Sequence, residues 1–370
     1  MWSYNNPVKI CFGAGALNEL PRYLAKRRYA LVTYSDEHFK PLAARVETLA
    51  GPPELVIDNV KPNPDFATVE QACEQWARAN TATQVVVAVG GGSVIDSAKA
   101  LAAADGDFSR VRRYLETKEE NGELGRLPVI AVPTTAGTGS EVTMWATLWD
   151  TERGQKYSLS RAHLYPETAI VDPELTLRMP QSLTISTGLD ALSHALESIW
   201  NRNINPVSIE FAIAAAHEVL ATLPAVITDP RNLDLRTRMA QAALFAGLAF
   251  SNTKTALAHS ISYPITLDYG VPHGIACSFS LPMVMRCAIG EDAVCDVTLQ
   301  RIFGQDLHAG AERLDRFLTD LGVSVNPADH GVPATRWHRI VNDALAGERG
   351  QNFIARPEHV ISTMGVHIPA

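Results

Sequence analysis

The sequence predicts an α/β amino-terminal domain with a parallel sheet over residues 1–180, followed by an all-helical domain over residues 181–370. Two patterns carry this reading. Up to about residue 180, short apolar runs rich in Val and aromatic residues alternate with helix-like segments, and such alternation implies a parallel sheet covered by helices. From about Pro180 the strand runs stop, and Ala- and Leu-rich segments of helical period follow one another.

The strand-like runs are YALVTY (29–34), QVVVAVG (84–90), PVIAVP (128–133) and TAIV (168–171). Between the first two, DFATVEQACEQWARAN places Phe66, Val69, Cys73 and Trp76 on one helical face, with Asp65 positioned to cap it. LETKEENGELGRL (115–127) is charged and reads as a solvated loop, and DPELTLRMPQS holds the domain boundary. GLDALSHALESIW, SIEFAIAAAHEVLATL, LRTRMAQAALFAGLAF and AERLDRFLTDLG then read as helices. KTALAH reads as the end of a helical run, VPHG as a turn, and the final GERGQNFIARPEHVISTMGVHIPA as a loop before a short terminal helix. No internal repeat or low-complexity segment is seen.

A chain of 370 residues is long enough for two domains with substantial cores. Its net charge of −8, with no basic run, argues against nucleic acid as a partner. The amino terminus lacks the charged and apolar regions of a signal peptide, and no run of eighteen apolar residues suggests a membrane span. Five cysteines, Cys11, Cys73, Cys277, Cys287 and Cys295, form no CxxC pair, so reduced thiols in a cytoplasmic protein are expected. Cys277 follows His273 by four and reads as a small buried residue.

Two glycine-rich turns follow strand-like runs. Gly90-Gly91-Gly92-Ser93-Val94-Ile95-Asp96 leads into the helix SVIDSAKALAAA. Glycines there admit a pyrophosphate close to the backbone, and amide groups at the helix start bind its oxygens. The pattern is not GxGxxG. Lys99 in that helix reads as solvated. The second turn, Pro133-Thr134-Thr135-Ala136-Gly137-Thr138-Gly139-Ser140-Glu141, offers hydroxyls and glycines for the same cofactor, although a loop rich in Ser and Thr also caps its own backbone.

The third constellation lies in the helical half. Asp190 and His194 are four apart, hence on one helical face, while His259 and His273 stand fourteen apart. A carboxylate and three imidazoles suit Fe²⁺ or Zn²⁺, with a formal site charge of +1. The other eight histidines lack such neighbours and read as structural or surface residues.

GGGSVIDSAK, PTTAGTGSEV, DPELT, GLDALSHALES and the spacing to VPHG resemble the iron-containing alcohol dehydrogenase family, from FGAGALNELP to at least residue 285. The resemblance implies a dinucleotide-binding α/β domain, a helical metal-binding domain, and a homodimer. It assigns the metal positions to Asp190, His194, His259 and His273. It assigns the NAD(P)H positions to Gly90, Gly91, Gly92, Ser93, Asp96, Thr134, Thr135 and Thr138, and places Lys156 near the nicotinamide.

Three departures from the family pattern stand out. Tyr263 occupies a place where many members carry a proton-relaying His, and Tyr is a poorer relay given its usual pKa of about 10. After YALVT, Tyr34 and Ser35 replace an acid that would repel a 2′-phosphate, which leaves room for NADPH. Lys254 and Arg161 are unusual cations that point to a small anionic aldehyde. NTKTALAHSISYP and GVPHGIACSFSLP look most similar to the branch that reduces phosphonoacetaldehyde to 2-hydroxyethylphosphonate in phosphonate biosynthesis. Other expectations for this pattern are a reductase of lactaldehyde, succinic semialdehyde or maleylacetate, a lyase of the dehydroquinate-synthase type, or a non-catalytic nucleotide-binding protein.

Overall fold

The computed structural model describes residues 1–79, 82–118 and 124–365. It divides into two units: Asn6–Thr135 with Gly139–Leu177, and Met1–Asn5 with Ala136–Thr138 and Arg178–Ala370.

The first unit contains strands β1 (Lys9–Phe12), β2 (Tyr29–Val32), β3 (Leu55–Ile57), β4 (Val85–Gly90), β5 (Val129–Pro133), β6 (Trp145–Asp150), β7 (Gln155–Ser160) and β8 (Thr168–Val171). Six form a parallel sheet in the order β1-β8-β5-β4-β2-β3, and β6 and β7 form a separate antiparallel pair. The central strands read as continuous apolar runs because both faces are covered. Ala30, Val32, Val86, Ala88, Val129 and Ala131 pack on one side, and Tyr29, Leu31, Val85, Val87, Ile130 and Val132 on the other. The sequence reading missed β1 and β3, which are four and three residues long, lie at the sheet edges and are partly exposed. It also missed the β6–β7 pair, whose polar Gln155 and Lys156 dilute the apolar signal.

The helix Phe66–Ala79 buries Phe66, Val69, Cys73 and Trp76, and the Asp65 carboxylate accepts a 2.7 Å hydrogen bond from the Thr68 amide. The stretch 115–127 is not a loop throughout. Leu115 is buried in the last turn of the helix Phe108–Thr117, while residues 119–123 lie outside the described residues. After β2 the chain turns toward β3, and after β4 it turns the opposite way toward β5. Ligands of open α/β sheets bind beyond the strand ends at such a reversal. Here the reversal brings Tyr34, after β2, beside Gly91, after β4.

The second unit is helical. Gln181–Ile199, Pro206–Thr228 and Leu233–Thr253 pack against one another around Leu192, Leu196, Val219, Leu223 and Ala246. Asn205 and Asn232 cap the second and third of these through backbone amides of the first turn. Pro206–Thr228 is, among the described residues, one helix long and apolar enough to cross a membrane, yet Ala212, Ala215, Ala216, Val219 and Leu223 lie buried in the helical core. KTALAH is not one helical run. The helix Leu233–Thr253 ends at Lys254, whose φ of 63° is left-handed, and a new helix, Leu257–Tyr269, starts two residues before His259. VPHG is likewise more than a turn, because His273 opens the short helix His273–Ser278 after Pro272. The terminal stretch contains a short helix, Pro357–Thr363, and its residues 366–370 lie outside the described residues.

Candidate metal centre and cofactor loops

In the first unit the glycine turn is sterically required. A Cβ at Gly90 would meet Val94 Cγ2 at 2.4 Å, and one at Gly91 would come within 3.3 Å of Thr135 Cγ2 and 4.0 Å of the Tyr34 hydroxyl. Tyr34, Gly91 and Thr135 therefore converge. Gly92 begins the helix Gly92–Ala104, whose first amides face this turn. Thr134 donates its amide to the Gly90 carbonyl at 3.0 Å, Ser93 Oγ accepts the Asn63 amide at 3.2 Å, and Ser35 is exposed. Thr138 belongs with Ala136 and Gly137 to the helical unit, where Gly137 passes so close to Thr187 that a Cβ would lie 2.5 Å from its carbonyl oxygen.

Two residues of the Gly92–Ala104 helix are turned inward. Asp96 accepts from Ser140 Oγ at 2.5 Å and from the Thr147 amide at 2.9 Å, so both oxygens are engaged within the unit. Lys99 is not solvated. It is fully buried, and its ammonium donates to the Ser140, Thr143 and Trp145 carbonyls at 2.7–2.8 Å and approaches Ser140 Oγ at 3.0 Å. Burial pushes the Lys99 amine down to about 8 against the pull of Asp96 and Glu141, and pushes the buried Glu141 carboxyl up to about 7. Together these groups clamp the second loop onto the helix that follows the first. The sequence reading missed the clamp because an Ala-rich helix buried on nearly every side leaves no polar face to mark. Lys156, on β7, lies 5.5 Å from the Trp149 ring, and Arg161 stacks 4.0 Å from the Tyr114 ring.

The second unit gathers Asp190, His194, His259 and His273. Asp190 Oδ1 stands 3.8 Å from His194 Nε2 and 3.4 Å from His259 Nε2, and the His259 and His273 rings meet edge-on at 5.6 Å. Asp190 Oδ1 and His259 Nε2 are both buried, and neither has a hydrogen-bond partner. Buried polar atoms are seldom left so. Ligand atoms on one tetrahedral ion at about 2.1 Å stand about 3.4 Å apart, so this donor set fits a divalent cation. Burial pushes the His194 imidazole down to about 4, which keeps its lone pair free of a proton at neutral pH. Burial works to raise Asp190, but His194, His259 and His273 hold its carboxyl below the usual range.

Glu197 was not anticipated. It lies seven residues after Asp190, on the same helical face, and its position in GLDALSHALES was the available signal. Fully buried, it accepts from His259 Nδ1 at 2.5 Å and from the His259 amide at 3.2 Å. A carboxylate on Nδ1 fixes the tautomer that turns Nε2 outward as a ligand. Cys277 was read as a small buried residue. It is fully buried, and its sulfur also joins the cluster with Asp190, His259 and His273. Tyr263 lies parallel to the His273 ring at 6.4 Å, and the guanidinium of Arg349 is 6.0 Å from the Tyr263 centroid. Arg349 also donates to Thr255 Oγ1, while Lys254 Nζ lies 3.2 Å from Glu348. Of the remaining histidines, His367 lies outside the described residues.

Residues 7–173 match the family described as iron-containing alcohol dehydrogenase, and residues 184–364 match the carboxy-terminal domain of the same family. This chain is a member of the iron-containing alcohol dehydrogenase family. As such it is an oxidoreductase. Among similar proteins is the NAD-dependent methanol dehydrogenase of Bacillus methanolicus, 31% identical over 90% of both chains. The phosphonoacetaldehyde reductase of Streptomyces viridochromogenes is 34% identical over 77% of this chain and 76% of the relative. The sulfoacetaldehyde reductase of Bifidobacterium kashiwanohense, solved with NAD+, superposes with a TM-score of 0.90 at 30% identity, covering 99% of this chain and 98% of that one.

Proposed function

We propose that this dehydrogenase reduces a small anionic aldehyde, foremost phosphonoacetaldehyde to 2-hydroxyethylphosphonate, with NAD(P)H and a divalent metal. The observation that carries the metal-dependent part is the buried cluster of Asp190, His194, His259 and His273 with its unpartnered Asp190 Oδ1 and His259 Nε2. These four residues would hold Fe²⁺ or Zn²⁺. When bound, the ion supplies Lewis acidity toward the aldehyde oxygen and the nicotinamide supplies hydride to the carbonyl carbon. Glu197 holds His259 in the tautomer that presents Nε2. Gly90, Gly91, Gly92, Ser93, Thr134, Thr135 and Thr138 bind the dinucleotide, Tyr34 and Ser35 flank its ribose, and Lys156 serves the nicotinamide side. Asp96 supports this loop from within. Tyr263, beside His273, relays a proton from solvent to the product oxygen, which must gain one when hydride reaches the carbonyl carbon.

The substrate class is supported by two similar enzymes whose substrates are two-carbon aldehydes bearing a tetrahedral anion. Lys254 and Arg349, both of the helical unit, are the cations we assign to that anion, and Arg161, which stacks on Tyr114 in the other unit, is kept as a separate candidate. The Lys254–Glu348 pair is partly exposed and worth no more than about 1 kcal/mol, so a phosphonate can displace Glu348. A charge-assisted contact to the phosphonate is worth roughly 1.5–3 kcal/mol. Sulfoacetaldehyde is the second reading, favoured by the superposition just described. The five unpaired cysteines fit a cytoplasmic enzyme.

The test is a substrate panel of phosphonoacetaldehyde, sulfoacetaldehyde and propionaldehyde, followed as NADH or NADPH oxidation. Lys254→Ala keeps the Cβ, and hence the backbone strain, of the native residue. It should raise KM for the anionic aldehydes at least tenfold more than for propionaldehyde, a difference of ~1.4 kcal/mol. Equal losses on charged and uncharged substrates would sink the anionic assignment.

A further inference from the structure

Asp36, two residues past Tyr34, is the first carboxylate after β2. β2 pairs with β4 in a register that sets Val32 beside Ala88, and Thr33 continues it by donating its hydroxyl to the Val89 carbonyl at 2.9 Å. Carried one residue further, the register brings Tyr34 level with Gly90, at the mouth of the glycine turn. Three contacts hold Tyr34 there. Its ring meets Phe39 edge-on at 4.9 Å, its backbone bridges to Asn59, and its hydroxyl is hydrogen-bonded to Ser93.

The turn that leads to Phe39 also fixes Asp36. The Asp36 carbonyl accepts the Phe39 and Lys40 amides at 3.0 and 3.3 Å, and its Oδ1 accepts the His38 amide at 2.9 Å. The side chain is exposed, so the carboxylate keeps room to accept from a ligand. Burial raises the Tyr34 phenol above its usual range, the Ser93 bond works against that, and the charges of Asp36 and Asp96 push it further up. The phenol therefore stays a neutral donor, and both charges that reach it are negative. Asp96 has each of its oxygens engaged, by Ser140 Oγ and by the Thr147 amide, which leaves Asp36 as the acceptor.

We propose that Asp36 sets the choice of dinucleotide: its carboxylate accepts from the adenosine ribose hydroxyls of NADH and repels the 2′-phosphate of NADPH. A ribose hydroxyl can donate to a carboxylate, whereas a 2′-phosphate brings up to about two negative charges to the same place. Asp36 thus replaces the acid absent directly after YALVT, and Phe39 ties its turn to Tyr34 and so to the glycines. The proposal rests on reading the glycine turn as the dinucleotide site, and it is independent of the metal and of the aldehyde.

The test is isothermal titration of the full-length protein with NAD+ and with NADP+, which needs no turnover. We expect the native protein to bind NAD+ roughly tenfold more tightly or better, a gap of ~1.4 kcal/mol. The gap should narrow at high salt, because repulsion between exposed charges is screened. Asp36→Asn keeps an acceptor for the His38 amide and removes the charge. It should tighten NADP+ and weaken NAD+, closing most of the gap. Glu37→Gln removes the neighbouring charge, which pairs with Lys40, and should keep the native ratio. Equal affinity of the native protein for the two dinucleotides would overturn the proposal without needing any variant to fold. An unchanged ratio in Asp36→Asn, or an equal shift in Glu37→Gln, would overturn it as well. Binding of neither dinucleotide would remove the glycine-turn reading, and Asp36 with it.

Discussion

Glu197→Gln offers the sharpest probe of how this chain prepares its metal centre. The Glu197 carboxylate accepts from two donors at once, His259 Nδ1 at 2.5 Å and the His259 amide at 3.2 Å. A glutamine of the same shape has only one acceptor oxygen. One donor therefore faces an amide NH₂ and loses its partner, in a place with no access to water. Replacing a charge-assisted hydrogen bond with a neutral one costs ~1–1.5 kcal/mol. The second effect is an unsatisfied buried donor, worth ~1–3 kcal/mol, part of which falls on folding rather than on metal binding. We expect ~2 kcal/mol lost from metal binding, about a 30-fold weaker affinity and within the 10–100-fold range seen for outer partners of metal-bound histidines. Competition between protein and a chromophoric chelator for Zn²⁺ at fixed pH measures it, with bound metal counted per chain. Glu197→Ala, which removes both acceptors, should be weaker still. An affinity of Glu197→Gln within threefold of the native value would refute the claim that Glu197 sets the His259 tautomer.

Lys99→Met removes a buried ammonium from three carbonyls and leaves Asp96 and Glu141 without their cation. Stability should fall by ~3–5 kcal/mol in urea unfolding, and a loss under ~1 kcal/mol would show that the clamp is dispensable. Glu141 is protonated more readily in the folded chain than in the unfolded one, because burial pushes its pKa to about 7. The folded state binds the extra proton, so this group's contribution is fully present below about pH 4.5 and is lost as pH rises to about 7. A shift of about 2.5 units caps the effect at ~3 kcal/mol. Glu141→Gln should flatten the stability profile over that window, and an unchanged slope would assign it to other groups. Gly91→Ala brings a methyl to 3.3 Å from Thr135 Cγ2, where the loop must yield by a few tenths of an ångström. We expect NAD(P)H affinity to drop roughly tenfold by fluorescence titration with metal content unchanged, consistent with ~1–3 kcal/mol for overpacking. Native affinity would mean that the dinucleotide does not lie on this turn.

Much of the architecture was legible because periodicity is written locally. β2, β4, β5 and β8 coincide with apolar runs whose two faces are both buried. The helix from Phe66 shows its buried face every three or four residues. Asp190 and His194 needed only the helical repeat to be placed together, and Glu197 was within reach of the same argument. Where the local signal is weak the reading fell short. β1 and β3 are short edge strands, the break at Lys254 falls in the polar run SNTKT with no glycine or proline to mark it, and Lys99 gives no sign in sequence of the carbonyls that surround it.

Residue order alone determined the two-part organisation, the glycine turns after strands and the family to which the chain belongs, because each depends on neighbours within a few turns of chain. Only the tertiary structure decided which donors meet. The contacts between Asp190 and His259, Glu197 and His259, Lys99 and Ser140, and Arg349 and Tyr263 join residues dozens apart. They form because separate helices and loops pack closely enough to bury polar atoms that must then find one another. Burial is also what moves Lys99, Glu141 and His194 away from their ordinary protonation. No local pattern encodes it, since it is a property of everything that surrounds the group.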